Sequence, residues 1–426
     1  MKSTITAAAV LLAGTALVAS PASAQSNYGG QAAPQQSAAA PADQAASASP
    51  NAIKTHMPKI SREASKAIQQ LQKDINDKNT AAIAADITAA NAAAKTGDDR
   101  YVIGILQLKA AAQSNDSAGI AAGIEAMLAS GSAAQDEKYP LYINLAQAYS
   151  ASKQDARAAQ AYQQALQLNP SSVDATAGLA EAKVAAGQAA EGLALLEKGI
   201  ALQSAGGAHA PETWYKRALQ IAYKAKLPQA MQISRDWIAA YPTTNTWLNA
   251  LAVFQNMQQL DDSQTLDLLR LKRATASLSP ADYFNYGDVA VRMGYSGEAK
   301  AVLDEGFAAN AIKRSESSFS QLYTLASQKS QGDKASLATA PAATATAVSL
   351  TGTGDAWYGY GDYAKAADFY RASLAKGGDA NRNNLHLGMA LARQGDKAGA
   401  AAALNKVTGT TAELAKFWLV YANAKA

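Results

Sequence analysis

Between residues 139 and 426 the same residue types return every 34 positions, a period that ties each stretch of chain to its immediate neighbours. Counted from Tyr139, Tyr142, Leu145, Ala146 and Tyr149 stand at positions 4, 7, 8 and 11, and Ala158, Tyr162, Ala165 and Pro170 at 20, 24, 27 and 32. The window from 173 brings Leu179, Ala180 and Gly187. After an insertion around Gly206-Gly207, the window from 211 brings Trp214, Ala218, Ala230 and Pro242. The window from 245 is weaker, with Leu248, Leu251 and Ala252; the one from 280 gives Tyr283, Tyr286, Gly287, Gly294, Ala299 and Leu303. Gly361, Ala366 and Tyr370 follow from 347, then Leu387, Gly388, Gly395 and Ala400 from 381, and Trp418 falls on a last unpaired helix. Small residues at 8 and 20 let two helices approach closely, and large ones at 4, 7, 11 and 24 fill the layer between neighbours. Gly187, Gly294, Gly361 and Gly395 share one phase, the bend between paired helices, where a left-handed residue is needed. Aromatics at 7% and the lack of a long Val/Ile alternation exclude an all-β chain.

The segment Tyr142-Leu145-Ala146-Tyr149, with Ala158, Tyr162 and Pro170 behind it, resembles the tetratricopeptide repeat. The resemblance implies an all-α fold, a right-handed superhelical solenoid of helix-turn-helix repeats. Repeats are expected over 133–312 and again over 347–426, the latter closed by a terminal capping helix. The unit 313–346 is degenerate or a linker: Gly332-Asp333 is near phase, but Pro341 and the Ala/Thr run after it spoil a second helix. Upstream, Ile60, Ala64, Ile68, Leu71 and Ile75 recur at helical spacing, so 58–132 reads as helical hairpins. Ser279-Pro280-Ala281-Asp282 reads as a capped helix start with Pro in the first position.

The first residues read as an address. Met1-Lys2, the apolar run Ala7 to Ala19 and the small-residue site Ala22-Ser23-Ala24 compose a signal peptide over 1–24, so the expected location is periplasmic. Residues 25–57, rich in Ala, Gln, Ser and Pro, read as a disordered spacer. No transmembrane segment is expected after cleavage. With no cysteine, stability has to come from packing alone.

Chemistry has few carriers here. Lys+Arg 38 against Asp+Glu 34 leaves +4, too mild for a nucleic-acid surface, and no cysteine means no thiol catalysis or thiolate metal site. His56, His209 and His386 are not spaced as ligands and read as surface or capping residues, so neither metal nor cofactor is expected. Arg314-Ser315-Glu316-Ser317-Ser318-Phe319 resembles the start of the catalytic segment of lytic transglycosylases, which implies Glu316 as a general acid. The continuation lacks that family's Gly-Leu-Met-Gln, and Glu316 reads instead as a first-turn helix residue after an N-cap Ser315. Carbohydrate binding would require Trp214, Trp247 or Trp357 open to solvent; positions 4 and 11 place Trp214 and Trp357 inside.

What remains is association. In the resembled family the inner surface is lined by positions 2, 5, 9, 12 and 13 of the first helix. Carried over, this implies a partner-binding groove of Tyr215, Tyr223, Asn249, Asn256, Phe284, Asp288 and Arg292. The family's carboxylate clamp is missing, because its positions read Ile143, Gln147, Ala177 and Glu181. The expected function is a non-enzymatic scaffold that binds a protein or peptide of the cell envelope, in assembly or secretion, with a cell-wall glycan enzyme and a carbohydrate binder as rivals.

Overall fold

The computed structural model of the chain describes residues 53, 55–205, 207–276, 278–338 and 345–424. The expected signal peptide and nearly all of the expected spacer lie outside these residues. Every regular element among the described residues is helical. The chain divides between Gly206 and Gly207, inside the insertion seen in the sequence, into two compact units. This cuts the run of repeats expected over 133–312 into two.

The first unit holds α1 (Arg62–Asn76), α2 (Thr80–Ala93), α3 (Gly97–Gln113), α4 (Ser117–Ala129), α5 (Gln135–Ala151), α6 (Asp155–Leu168), α7 (Val173–Ala185) and α8 (Ala189–Ser204). Each packs on the next in order, and α1 on α3 and α5 on α7 besides, as stacked helix pairs must. Alanine makes this stacking close: Ala146, Ala158, Ala165 and Ala180 lie at the seams with at most 1% exposure. Asp99 fixes the start of α3 by accepting the backbone N–H groups of Ser61, Lys95 and Thr96 and the Ser61 hydroxyl at 2.7–2.9 Å. Burial opposes its charge, but those donors hold the carboxyl well below the usual range. Residues 55–57 were placed in the spacer; His56 is instead tied to the fold, its backbone N–H and Nδ1 2.8 and 2.9 Å from Glu137 and its ring stacked on Tyr101.

The second unit holds α9 (Glu212–Lys224), α10 (Gln229–Ala240), α11 (Thr244–Met257), α12 (Asp262–Ala274), α13 (Pro280–Arg292), α14 (Ser296–Ala308), α15 (Ser317–Lys329) and the six-residue α16 (Asp333–Ala338). Then come α17 (Ala347–Gly359), α18 (Tyr363–Ala375), α19 (Ala380–Gln394), α20 (Lys397–Leu404), a single 3-10 turn, and α21 (Ala412–Ala424). Every 34-residue window is thus one helix pair, including the degenerate one, whose second helix is cut to α16. Ser279 caps α13 as expected, trading hydrogen bonds with Asp282.

Neighbour-only stacking fails in this unit. The helix α21 is expected only as a terminal cap on the repeats of 347–426. It packs on α19 and α20 but also on α10, well over 150 residues upstream. Phe417 meets Phe254 edge-on at 5.4 Å, Arg235 pairs with Glu413, and one continuous core runs from Ile238, Trp247 and Leu271 to Leu385, Phe417 and Trp418. The unit closes on itself because α21 is apolar on both flanks, burying Leu414, Ala415, Phe417, Trp418, Tyr421 and Ala422.

The bends carry the expected glycines. Gly187, Gly294, Gly361 and Gly395 have φ of +83°, +86°, +80° and +85° and stand between the helices of a pair. Each is followed by a residue whose N–H reaches back to the helix, as Gln188 to the Lys183 carbonyl at 2.8 Å and Asp362 to Trp357 at 3.0 Å.

Candidate functional site

The seven residues of the implied groove are dispersed in their exposure. Asn249, Asn256 and Arg292 are exposed, Tyr223 and Asp288 half-buried, and Phe284 is 39% exposed while still meeting Phe319 edge-on. Tyr215 does not belong to a groove. It is buried, its ring edge-on to Tyr241, because the face of α9 that carries it packs inward with Leu219 and Ala222. Arg292 is not free either, since it pairs with Asp288 at 3.0 Å and with Asp262. Asn249 returns its amide to the Asn245 carbonyl at 2.8 Å. What stays open to a partner is the face of α11 and α13 with Asn256, Phe284, and Leu248, which is 38% exposed.

The largest concentration of chemistry is elsewhere, and the sequence reading passed over it. Inside the second unit α12 supplies Asp267 and Arg270, α14 Glu298, α17 Asp355, and α19 Arg382 and His386. The Arg270 guanidinium donates to Glu298 through Nε at 2.9 Å and Nη2 at 2.7 Å, and to Asp267 through Nη1 at 3.1 Å. The other Asp267 oxygen lies 3.0 Å from His386 Nε2. His386 Nδ1 is 2.6 Å from Asp355, an ion contact out of line for a straight hydrogen bond. Asp355 also accepts from Tyr370 and Tyr295 at 2.8 Å and from Arg382 at 2.7 Å, and Tyr286 donates to Glu298 at 2.8 Å. Charges removed from water persist only when paired and hydrogen-bonded, and here each one is.

The electrostatics follow from this pairing. Burial works against a charged His386, but Asp267 and Asp355 outweigh it and raise the imidazole to about 9. Burial also opposes the Asp355 charge, yet His386, Arg270 and Arg382 hold its carboxyl far below the ordinary range. Tyr286 and Tyr370 are pushed well upward, first by burial and then by Glu298 and Asp355 respectively. Beside the cluster a cleft of about 290 Å³ is lined by Tyr295, Glu298, Asp333, Leu337 and Tyr360.

His386 therefore corrects the expectation of a surface or capping histidine: its side chain is 2% exposed and ion-paired on both ring nitrogens. His209 is exposed and faces the Tyr241 ring at 6.1 Å. Among the described residues no group of three or more His, Asp or Glu is arranged to hold a metal ion. Glu316 is exposed and is itself the N-cap of α15, one residue later than expected, so it lacks the apolar enclosure a general-acid carboxyl requires. Trp247 and Trp357 are each 4% exposed, and Trp214, expected inside, is half-buried.

Residue by residue, α5 to α8 present the small-residue seams, the bends and the pairing that a 34-residue repeat demands. Sequence patterns of the tetratricopeptide-repeat family match residues 139–172 and 156–204. These segments are tetratricopeptide repeats. No curated protein matches the chain. Among solved structures, it is similar to Pseudomonas aeruginosa pilF at 16% identity, covering 64% of this chain and 91% of that one with a TM-score of 0.20. The Naa15/Naa10 complex with HypK-THB gives 11% identity, 83% and 65% coverage and a TM-score of 0.28. The Cut9-Hcn1 hetero-tetramer of the APC/C gives 12%, 86%, 91% and 0.19. No helix among the described residues is long and apolar enough to cross a membrane.

Proposed function

We propose that the repeat protein is a non-enzymatic scaffold exported to the periplasm of a bacterium, where it holds a protein partner during assembly of, or secretion through, the cell envelope. The observation that carries the scaffold reading is the run of matched repeats at 139–204, whose helix pairs stack in chain order. The export reading rests on the charged start, apolar run and Ala22-Ser23-Ala24 of the first 24 residues. Partner contact is assigned to the first helices of the repeats, with Leu248, Asn256 and Phe284 as the side chains of α11 and α13 open enough to be touched in the second unit.

Fractionation of the native host with mass analysis of the N-terminus tests the location, the expected result being a periplasmic chain that begins at Gln25. A photo-crosslinking residue in place of Phe284, used in the native envelope, tests the partner. One discrete adduct identifies it. An uncleaved cytoplasmic chain would refute export, and a crosslinker that captures only water at Phe284 and at Asn256 would refute this face as the contact surface.

A further inference from the structure

Asp267, Glu298 and Asp355 are balanced by Arg270 and Arg382 only if His386 is an imidazolium, so the charge parity of the buried cluster hangs on one proton. Every element around His386 contributes a neighbour: Asp267 and Arg270 from α12, Glu298 from α14 with Tyr295 just before it, Asp355 and Tyr358 from α17, Tyr370 from α18, and Arg382 from α19 itself. We propose that this proton is the pin of a latch: while His386 holds it, α19–α21 stay seated on α10–α12, and its loss releases that clasp while α13–α15 stay folded.

The geometry supports the latch at two points. His386 bridges 119 residues of sequence to reach Asp267, so it joins the two sides of the closure directly. The closure also includes apolar contact, Phe254 on Phe417 with Trp247 and Trp418 nearby, the Arg235–Glu413 pair at its edge and a hydrogen bond from Gln264 to Thr410. A neutral ring would leave Asp267 and Asp355 facing each other with one negative charge in excess, an arrangement that a buried site does not tolerate. The neighbouring Tyr295, Tyr358 and Tyr370 are displaced upward and Asp355 downward, which leaves His386 to respond first as pH rises. Because its folded value lies above the ordinary 6.5, the stabilisation is complete below 6.5 and is lost as pH passes through about 9. That displacement corresponds to a shift of about 300-fold in the opening equilibrium.

The chain has no cysteine, so a single introduced thiol reports opening through its rate of modification. Ala250 lies in the clasp and Ala326 on α15 outside it, both fully buried. In the full chain, and after division by the thiolate fraction, Ala250→Cys is expected to react about 100-fold faster at pH 10 than at pH 7. Ala326→Cys is expected to stay protected, and adding His386→Gln to Ala250→Cys to make the clasp thiol fast at both pH values. Equal protection of the clasp thiol at both pH values overturns the latch. So does parallel acceleration of both thiols, which is global unfolding. If Ala250→Cys does not fold, brief proteolysis of the unsubstituted chain decides: cleavage between Leu404 and Ala412 at pH 10 but not at pH 7 supports the latch, and identical patterns overturn it.

Discussion

At the scale of single residues, the bends between helices show the cost of a side chain in the left-handed region. Four pairs turn on glycine at the shared phase, but Lys78, Asn115, Lys153 and Lys226 adopt φ between +53° and +59° at equivalent bends. A Cβ in that conformation costs roughly 1 kcal/mol against glycine, partly returned by the smaller entropy of the unfolded chain. Gly187→Ala is therefore expected to destabilise by about 1 kcal/mol and Lys153→Gly to stabilise by a few tenths up to about 1 kcal/mol, read as shifts in a urea-unfolding midpoint. The buried charges behave differently. Arg270→Met strands Glu298 and Asp267 without their common cation and is expected to cost about 3–5 kcal/mol. Adding Glu298→Gln should recover part of that loss in the same measurement, since the damage lies in the unpaired anion rather than in the missing contact.

At the scale of elements, α3 and α4 approach so closely that backbone stands in for side chains. A Cβ at Gly123 would come within 2.6 Å of the Leu108 nitrogen, and one at Gly104 within 2.8 Å of the Gly123 carbonyl. Neither neighbour can rotate away, so Gly123→Ala is expected to push the helices apart and destabilise the first unit by roughly 1–3 kcal/mol, seen as a lower Tm. The helices, their bends and the seams between them were legible in the sequence because they repeat: Ala158, Ala230, Ala299, Ala366 and Ala400 share one position and all are fully buried. The charge cluster was not legible as a site, because acid and base three residues apart on a helix, as Asp267 and Arg270 are, ordinarily mark a solvated face. One signal was available. Leu266, Leu268, Leu269 and Leu271 flank that pair, and leucines spread so widely around α12 leave little of it for water. For the groove, Tyr215 misled because the family position says which way a side chain points in an open array, whereas here it falls on the buried face of α9 with Ala218, Leu219 and Ala222.

At the scale of each unit, the two halves answer differently to loss of an end. In the first unit each helix depends on the ones beside it, so stability is close to a sum over neighbours. In the second, α21 is shared by α10, α19 and α20. Truncation after Leu404 is expected to destabilise the core that α21 shares with α10, α11 and α19 by several kcal/mol and to expose Trp247, measured as a red shift in tryptophan emission rather than fraying of a terminal helix. No periodicity could have announced this closure, since a 34-residue repeat encodes only contacts between successive pairs.

That closure also governs the order of events during synthesis. Trp247, Leu251 and Phe254 emerge from the ribosome long before Phe417 and Trp418 exist to cover them, so a nascent second unit carries a sticky, unfinished surface until α21 follows. A chain built this way gives a chaperone or a translocation channel a long interval in which to hold it.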